Sequence, residues 1–255
     1  MKASICAPRE PCIGFWLKTA PRASAVISSL IPSTGNRSCW PPRPIGCGAG
    51  TLQNCAVPPS GPTYFYLYVI LDVFSRYVVG WMIAPRERAT LASKLIEETC
   101  EKQIILPDQL TIHADRGPSM RSKPVAFLLA DLSVTKTHSR PYTSNDNPFS
   151  ESQFRTLKYR PEFPDRFGSI QDSRAFCHTF FPWYNDHHRH SGIGMMTPAM
   201  VHYGLAAAIR QNRQLVLDAA YAAHPDRFVR KPPVPLPLPK EVWINKPQNA
   251  HDNPH

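Results

Sequence analysis

Acidic residues all but vanish from the first quarter of this 255-residue chain. Residues 1–62 contain one carboxylate, Glu10, against six Lys and Arg. A folded domain in water carries both signs of charge on its surface, so this segment does not read as an ordinary domain. Five of the seven cysteines fall within it, yet Cys39, Cys47 and Cys55 are spaced by eights. That spacing suits neither a zinc knuckle nor a Cys-x-x-Cys redox pair. An odd cysteine count with no signal peptide argues against a disulfide framework. The opening "MKASICAPREPCIGFW" has no continuous apolar core and is broken by Pro8 and Pro11, so it does not read as a secretory signal. No apolar run anywhere is long enough to span a bilayer, which excludes a helical membrane anchor within this sequence.

What is present points elsewhere. A net charge of +10 favours an acidic partner, and nucleic acid is the commonest one. From Thr63 onward the pattern becomes legible. "TYFYLYVILD" and "RYVVGWMIA" are β-branched and aromatic runs joined by the turn Val73-Phe74-Ser75, which predicts a hairpin. "RATLASKLIEETCEKQ" places Leu91, Leu95 and Ile96 on one face and its charges off it, as an amphipathic helix does. A short strand in "DQLTIHADRG", a helix opened by Pro124, a strand in "SVTKTHS" and a helix from about Pro148 follow. A helix through "QDSRAFCHTFFPWYNDHHRH" and another from about Leu205 to Ala223 precede a Pro-rich end expected to be extended or disordered. This order of elements predicts an α/β sheet with helices on its faces. Such a sheet requires a strand ahead of Tyr64, and none is legible there.

Two carboxylates stand out by position. Asp115 follows an apolar strand in "IHADRG", and Glu151 falls in the first turn of a predicted helix in "NDNPFSESQFRTLK". Carboxylates at strand ends and helix starts are well placed to hold divalent cations for phosphoryl chemistry. Each also has an ordinary explanation, Asp115 as a loop cap and Glu151 as an acid favoured by the helix dipole.

Together these stretches resemble the catalytic core of bacterial insertion-sequence transposases of the DDE class, in the retroviral-integrase superfamily. The matching phrases are "HADRG", "SNDNPFSESQFRTLK" and "FFPWYNDHHRHSGIGMMTP", spread across 63–200. The resemblance implies an RNase H-like fold and DNA as partner, both element ends and target. It implies Mg²⁺ or Mn²⁺ as cofactor, two ions in an intact relative, and a homo-oligomer assembled on DNA. It implies catalytic, metal-binding roles for Asp115 and Glu151 and a DNA contact for Lys158. Arg140, Asn145, Arg155 and Arg160 are further candidates for phosphate and base contacts. Tyr184, Asn185 and His190 match the closing motif and are expected to support structure. Adjacent histidines on a helix point apart, which argues against zinc at His187, His188 and His190. The implied location is the bacterial cytoplasm, at the nucleoid.

The resemblance also implies a third acid on the sheet's first, central strand, and this chain does not show it. Asp72, in "LDVFSR", is the nearest upstream carboxylate, but the family carries that phrase at a turn, so a turn-capping role is expected. In the family, a phrase like Trp-Ser-Trp-Asp-Ile-Thr-Lys-Leu-Arg-Gly-Pro-Ala-Lys-Trp-Thr precedes "YFYLYV". Reading the codons of residues 47–62 from each third base permits that whole phrase; Asn54/Cys55 forces Leu and Gln53/Asn54 allows only Lys or Glu. The expectation is that residues 1 to about 62 are an out-of-frame translation that rejoins the frame near 61–63. The chain then divides into an aberrant, disordered 1–62, a catalytic core at 63–203, a helix at 204–230 and a Pro-rich tail at 231–255. The fold expected is a mixed RNase H-like sheet flanked by helices and lacking its proper first strand, with transposase catalysis impaired; the alternatives are a catalytically inactive DNA-binding fragment that interferes with transposition and a decayed-gene product without activity.

Overall fold

Alternation in the longest strand sets the two faces of the molecule. In the computed structural model, which describes residues 23–28, 51–53, 64–105, 110–114, 119–138, 147–240, 242 and 244, the strands begin with β1 (Ala23–Ser28) and β2 (Thr51–Gln53). The predicted hairpin follows as β3 (Tyr64–Asp72) and β4 (Val78–Ala84). Phe65, Leu67, Val69 and Leu71 of β3 point to one side of the sheet, and Tyr68 and Ile70 to the other. Both sets are buried, so each face needs a cover of helices.

The first face is covered by α1 (Ala89–Lys102) and α2 (Lys123–Asp131), with Leu95, Ile96, Val125 and Leu129 meeting Tyr68, Ile70 and Ile112. Gly80 lets α1 come close, since a Cβ there would lie 2.4 Å from Thr99 Oγ1. Between these helices runs β5 (Leu110–Ala114), and β6 (Thr135–His138) follows α2. The second face is covered by α3 (Pro148–Lys158) and α4 (Ile170–Asp186), whose Phe154, Leu157, Phe180, Phe181 and Tyr184 pack on Leu67 and Leu71. The short α5 (Pro198–His202) and the long α6 (Ala206–Ala223) come last. Residues 232–239 run without helix or strand, with Pro235 buried and Leu238 against the cluster of Ile193, Met196 and Val201. No helix among the described residues is long and apolar enough to cross a membrane.

The sheet is mixed, in the order β4-β3-β1-β5-β6. Strand β1 is antiparallel to β3 and parallel to β5, and β5 is parallel to β6. This is the RNase H-like arrangement expected from the sequence. One feature differs from expectation. The sequence shows no strand ahead of Tyr64, yet the slot between β3 and β5 is occupied by Ala23–Ser28. The second piece, Thr51–Gln53, pairs with Tyr64–Tyr66 along the same edge of β3, end to end with β1. The physical reason is that β3 and β5 both expose backbone donors and acceptors toward this slot, and any extended segment that satisfies them is favoured. In "ASAVIS" only Val26 and Ile27 are β-branched, too little to announce a strand in the sequence.

Strand β4 is an edge, and α4 protects it. The Asn185 amide accepts from Val78 N at 2.9 Å and donates to Val78 O at 3.1 Å, acting as a short substitute strand. At the far end Arg174 donates to Ile83 O at 3.2 Å. The Asn185 amide therefore covers exposed backbone at this end of β4. Asn185→Ala leaves both Val78 groups without these partners, and urea denaturation is expected to show a loss of about 1–3 kcal/mol. An unchanged midpoint would show that solvent replaces the amide without cost.

Candidate active site and nucleic-acid interface

The carboxyl end of β5 is where the elements converge. Strand β5 ends at Ala114, one residue before Asp115; Asp115, Arg140 and Asn145 lie outside the described residues. His113 points away from the α1 side and its Nδ1 lies 2.9 Å from Thr137 Oγ1 of β6. On the opposite flank α3 packs beside β1, the neighbour of β5. Asn147 precedes the helix and Pro148 opens it, which puts Glu151 in its first turn, half-buried.

The period of α3 then sorts its side chains. Ser150, Gln153, Phe154 and Leu157 turn inward. Glu151, Arg155 and Lys158 recur at four and three residues and form one stripe, with Arg155 and Lys158 exposed. Lys158 lies roughly 10 Å along the axis from Glu151. Gln153 is an exception to the apolar rule for inward residues. It is 1 % exposed, and among the described residues neither its Oε1 nor its Nε2 has a hydrogen-bond partner.

Asp72 sits at the wrong end of the sheet to join this group. Ala25 of β1 pairs with both Asp72 and Ile112, whereas Ala114 lies two residues further along β5. Two strand spacings across and two residues along separate the backbones of Asp72 and Ala114 by about 12 Å. The Asp72 carboxylate is also fully engaged. It accepts from Phe74 N at 3.0 Å and from the Ser75 hydroxyl, and lies 3.2 Å from His202 Nδ1. Burial pushes this carboxyl up, but the bonds from His202 and Ser75 outweigh that and hold it below its ordinary value. This is the turn-capping role, with an added tie from the β3–β4 turn to α5.

Glu87 was not legible as a site residue, and the structure places it at the active end. It follows β4 by three residues, at the end of the sheet where β5 terminates. Its Oε1 accepts from the Ser119 hydroxyl at 2.6 Å and weakly from Ser119 N at 3.4 Å, four residues beyond Asp115. The available signal was its position as the first acid after a strand and before a helix.

The closing motif packs rather than reacts. Tyr184 is 1 % exposed, and its ring lies 5.6 Å from His188 and 5.2 Å from His190. Burial pushes the Tyr184 phenol well up, far from any acid–base role near neutrality. Burial, then His188 and Arg76, push His190 down to about 4, and its buried Nε2 has no hydrogen-bond partner among the described residues. Arg160 is held within the protein, its guanidinium 3.6 Å over Trp183 and 3.0 Å from Glu162. Of the described DNA-contact candidates, Arg155 and Lys158 are exposed, and Arg160 is only partly so.

The donor set can be tested against a two-ion centre. Such a centre needs carboxylates placed to bridge ions roughly 3.5–4 Å apart. Strand β1, in the position where the resemblance calls for the first acid, contains no carboxylate. Asp72 is tied up elsewhere, and among the described residues no three His, Cys, Asp or Glu stand together in a way that could hold a metal ion. The described residues therefore do not supply the ligand set of a two-ion centre.

Known proteins similar to this chain are integrase cores and insertion-sequence transposases. Two profiles described as Integrase core domain match residues 53–144 and 132–198. The transposase for insertion sequence element IS904 of Lactococcus lactis subsp. lactis (strain IL1403) is 29% identical over 144 residues, 55% of this chain and 55% of that protein. The transposase InsF for insertion sequence IS3A of Escherichia coli (strain K12) is 29% identical over 136 residues, 53% of this chain and 47% of that protein. The chain thus matches about half the length of each of these relatives. Among solved structures, the catalytic core domain of BIV integrase overlays at a TM-score of 0.45 with 18% identity, covering 72% of this chain and 96% of that one.

His190 and Asp72 are two of the groups that give a pH profile, and His188, held below its ordinary value by burial and then by Arg160, adds to the upper decline. Between about 6.5 and about 4 the unfolded chain takes up the proton that folded His190 resists, so stability falls as pH drops through that window. Below about 4 the stability contributed by ionised Asp72 is lost in turn. Urea midpoints measured from pH 7 to pH 3 are expected to show both declines. His190→Gln is expected to flatten the upper decline and Asp72→Asn the lower; slopes unchanged in both variants would contradict the assignment.

Proposed function

The chain belongs to the integrase-core family of insertion-sequence transposases, and from that premise we propose that it is a DNA-binding transposase core whose strand cleavage and transfer are impaired by loss of the first catalytic carboxylate. The observation that carries this reading is the occupant of the central slot. Strand β1 lies between β3 and β5, beside the helix that bears Glu151, and offers no acid. An in-line displacement at phosphorus depends on charge stabilisation held in place around the attacking and leaving oxygens. Removing one such element costs about 10²–10³-fold in rate, and removing the ligand shared by both ions costs more. The roles left to this chain's own residues are a half-buried carboxylate at Glu151 and phosphate contacts along the Arg155–Lys158 stripe.

The same account covers the origin of the defect. Residues 1 to about 62 are read as a translation outside the frame of the true first strand, and the codons of 47–62 permit the family's Asp-bearing phrase in the shifted frame. Gln153 supports this. Burying an amide with no partner costs about 1–3 kcal/mol; among the described residues the Gln153 amide of α3, the helix that packs beside β1, has none, which fits a helix meeting a strand that is not its own. Assembly on DNA as a homo-oligomer is part of the proposal, as it is for the family. A second reading, retained activity through a recruited acid, is favoured by one observation only, the position of Glu87.

Purified chain and DNA bearing candidate terminal repeats test the two readings together. Expected is binding that weakens steeply with salt, by Lys and Arg contacts to phosphate, without strand cleavage in Mg²⁺ or Mn²⁺. Metal-dependent cleavage abolished by Glu87→Gln would establish the second reading. Absence of DNA binding at low salt would overturn both.

A further inference from the structure

The end of α3 carries an aromatic ring that the fold does not use. Tyr159, the residue that terminates the helix, is 79% exposed and takes no part in either face of the core. Its neighbours are cationic. The Arg155 guanidinium lies over the ring at 5.7 Å from its centroid, Lys158 is exposed beside it, and Arg160 follows. Arg160 is committed to Trp183, so that second aromatic–cation pair fixes the start of the α3–α4 connection on α4. Among the described residues Tyr159 has no such partner beyond Arg155. A single exposed Tyr is unremarkable by itself. This one sits among cations, on the helix that also bears Glu151.

We propose that Tyr159 is a stacking platform for an unpaired base near the end of a bound DNA strand. The inference rests on the DNA-binding reading given above and adds a residue and a mode of contact to it. The arrangement has the two parts that single-strand contacts require: cations that follow the phosphates and a π face that accepts any base. Position sets which base is reached. Tyr159 is eight residues from Glu151, roughly 12 Å along the helix. At about 3.4 Å per nucleotide of one strand, that corresponds to three or four nucleotides from a phosphate held beside Glu151. The contact is independent of sequence, so it positions a strand end without reading it.

The test uses the full chain and oligonucleotide duplexes with a short unpaired 3′ end, in which 2-aminopurine replaces one base at each position in turn. Stacking on a tyrosine quenches this base, so quenching on binding is expected at one unpaired position and not in the paired region. Tyr159→Phe is expected to keep the quench. Tyr159→Ala is expected to lose it and to weaken binding of the frayed duplex by about 5- to 100-fold, the range set by one base–aromatic stack. The salt dependence of binding is expected to stay the same in both variants, because no phosphate contact is removed. Undiminished quench and affinity in Tyr159→Ala, with DNA binding intact, would overturn the stacking role alone. If the unaltered chain bound no DNA, the stacking role and the DNA-binding reading would fall together.

Discussion

A strand at the centre of a sheet must satisfy hydrogen bonds on two sides, and the rest of this molecule depends on how that requirement is met. Strands β3 and β5 are both strongly apolar and each is covered by helices, so their position is fixed by packing. The gap between them is then a slot with donors and acceptors on both walls. Ala23–Ser28 fills most of it, and Thr51–Gln53 fills the remainder along β3. Backbone pairing asks only for an extended segment. It places no demand on the side chains, and Ala23–Ser28 contains no carboxylate.

This separation between what a fold needs and what a site needs explains the pattern of intact and missing features. The outer parts of the core are well matched: Asn185 protects the edge of β4, Asp72 closes the β3–β4 turn and ties down His202, and Gly80 admits α1. Among the described residues, the buried amide of Gln153 on α3 and the buried Nε2 of His190 in the closing motif have no hydrogen-bond partner.

Much of the architecture was legible in the sequence because strong patterns announced it. The hairpin, the amphipathic α1 and the Pro148 start of α3 all follow from periodicity and punctuation. The Asp72 carboxylate meets Phe74 N and Ser75 within its own turn and also His202, which no local pattern could have paired with it across 130 residues. Strand β1 was not legible because its two β-branched residues are enclosed by Ala and Ser, and pairing from both sides replaces propensity there. Glu87 was missed because its partner Ser119 lies 32 residues away in the chain, and no local pattern pairs them. Arg160 read as a surface cation, but Trp183 on the next helix takes it up.

The central claim is that the strand in the slot is a substitute for an Asp-bearing strand lost to a shift of frame. The most direct measurement is the nucleotide sequence of the gene across codons 44–64, translated from each third base. The account predicts Trp-Ser-Trp-Asp-Ile-Thr-Lys in that frame, leading without a stop into the β3 sequence. Stop codons or an unrelated peptide in that frame would contradict it and make Ala23–Ser28 the chain's own first strand.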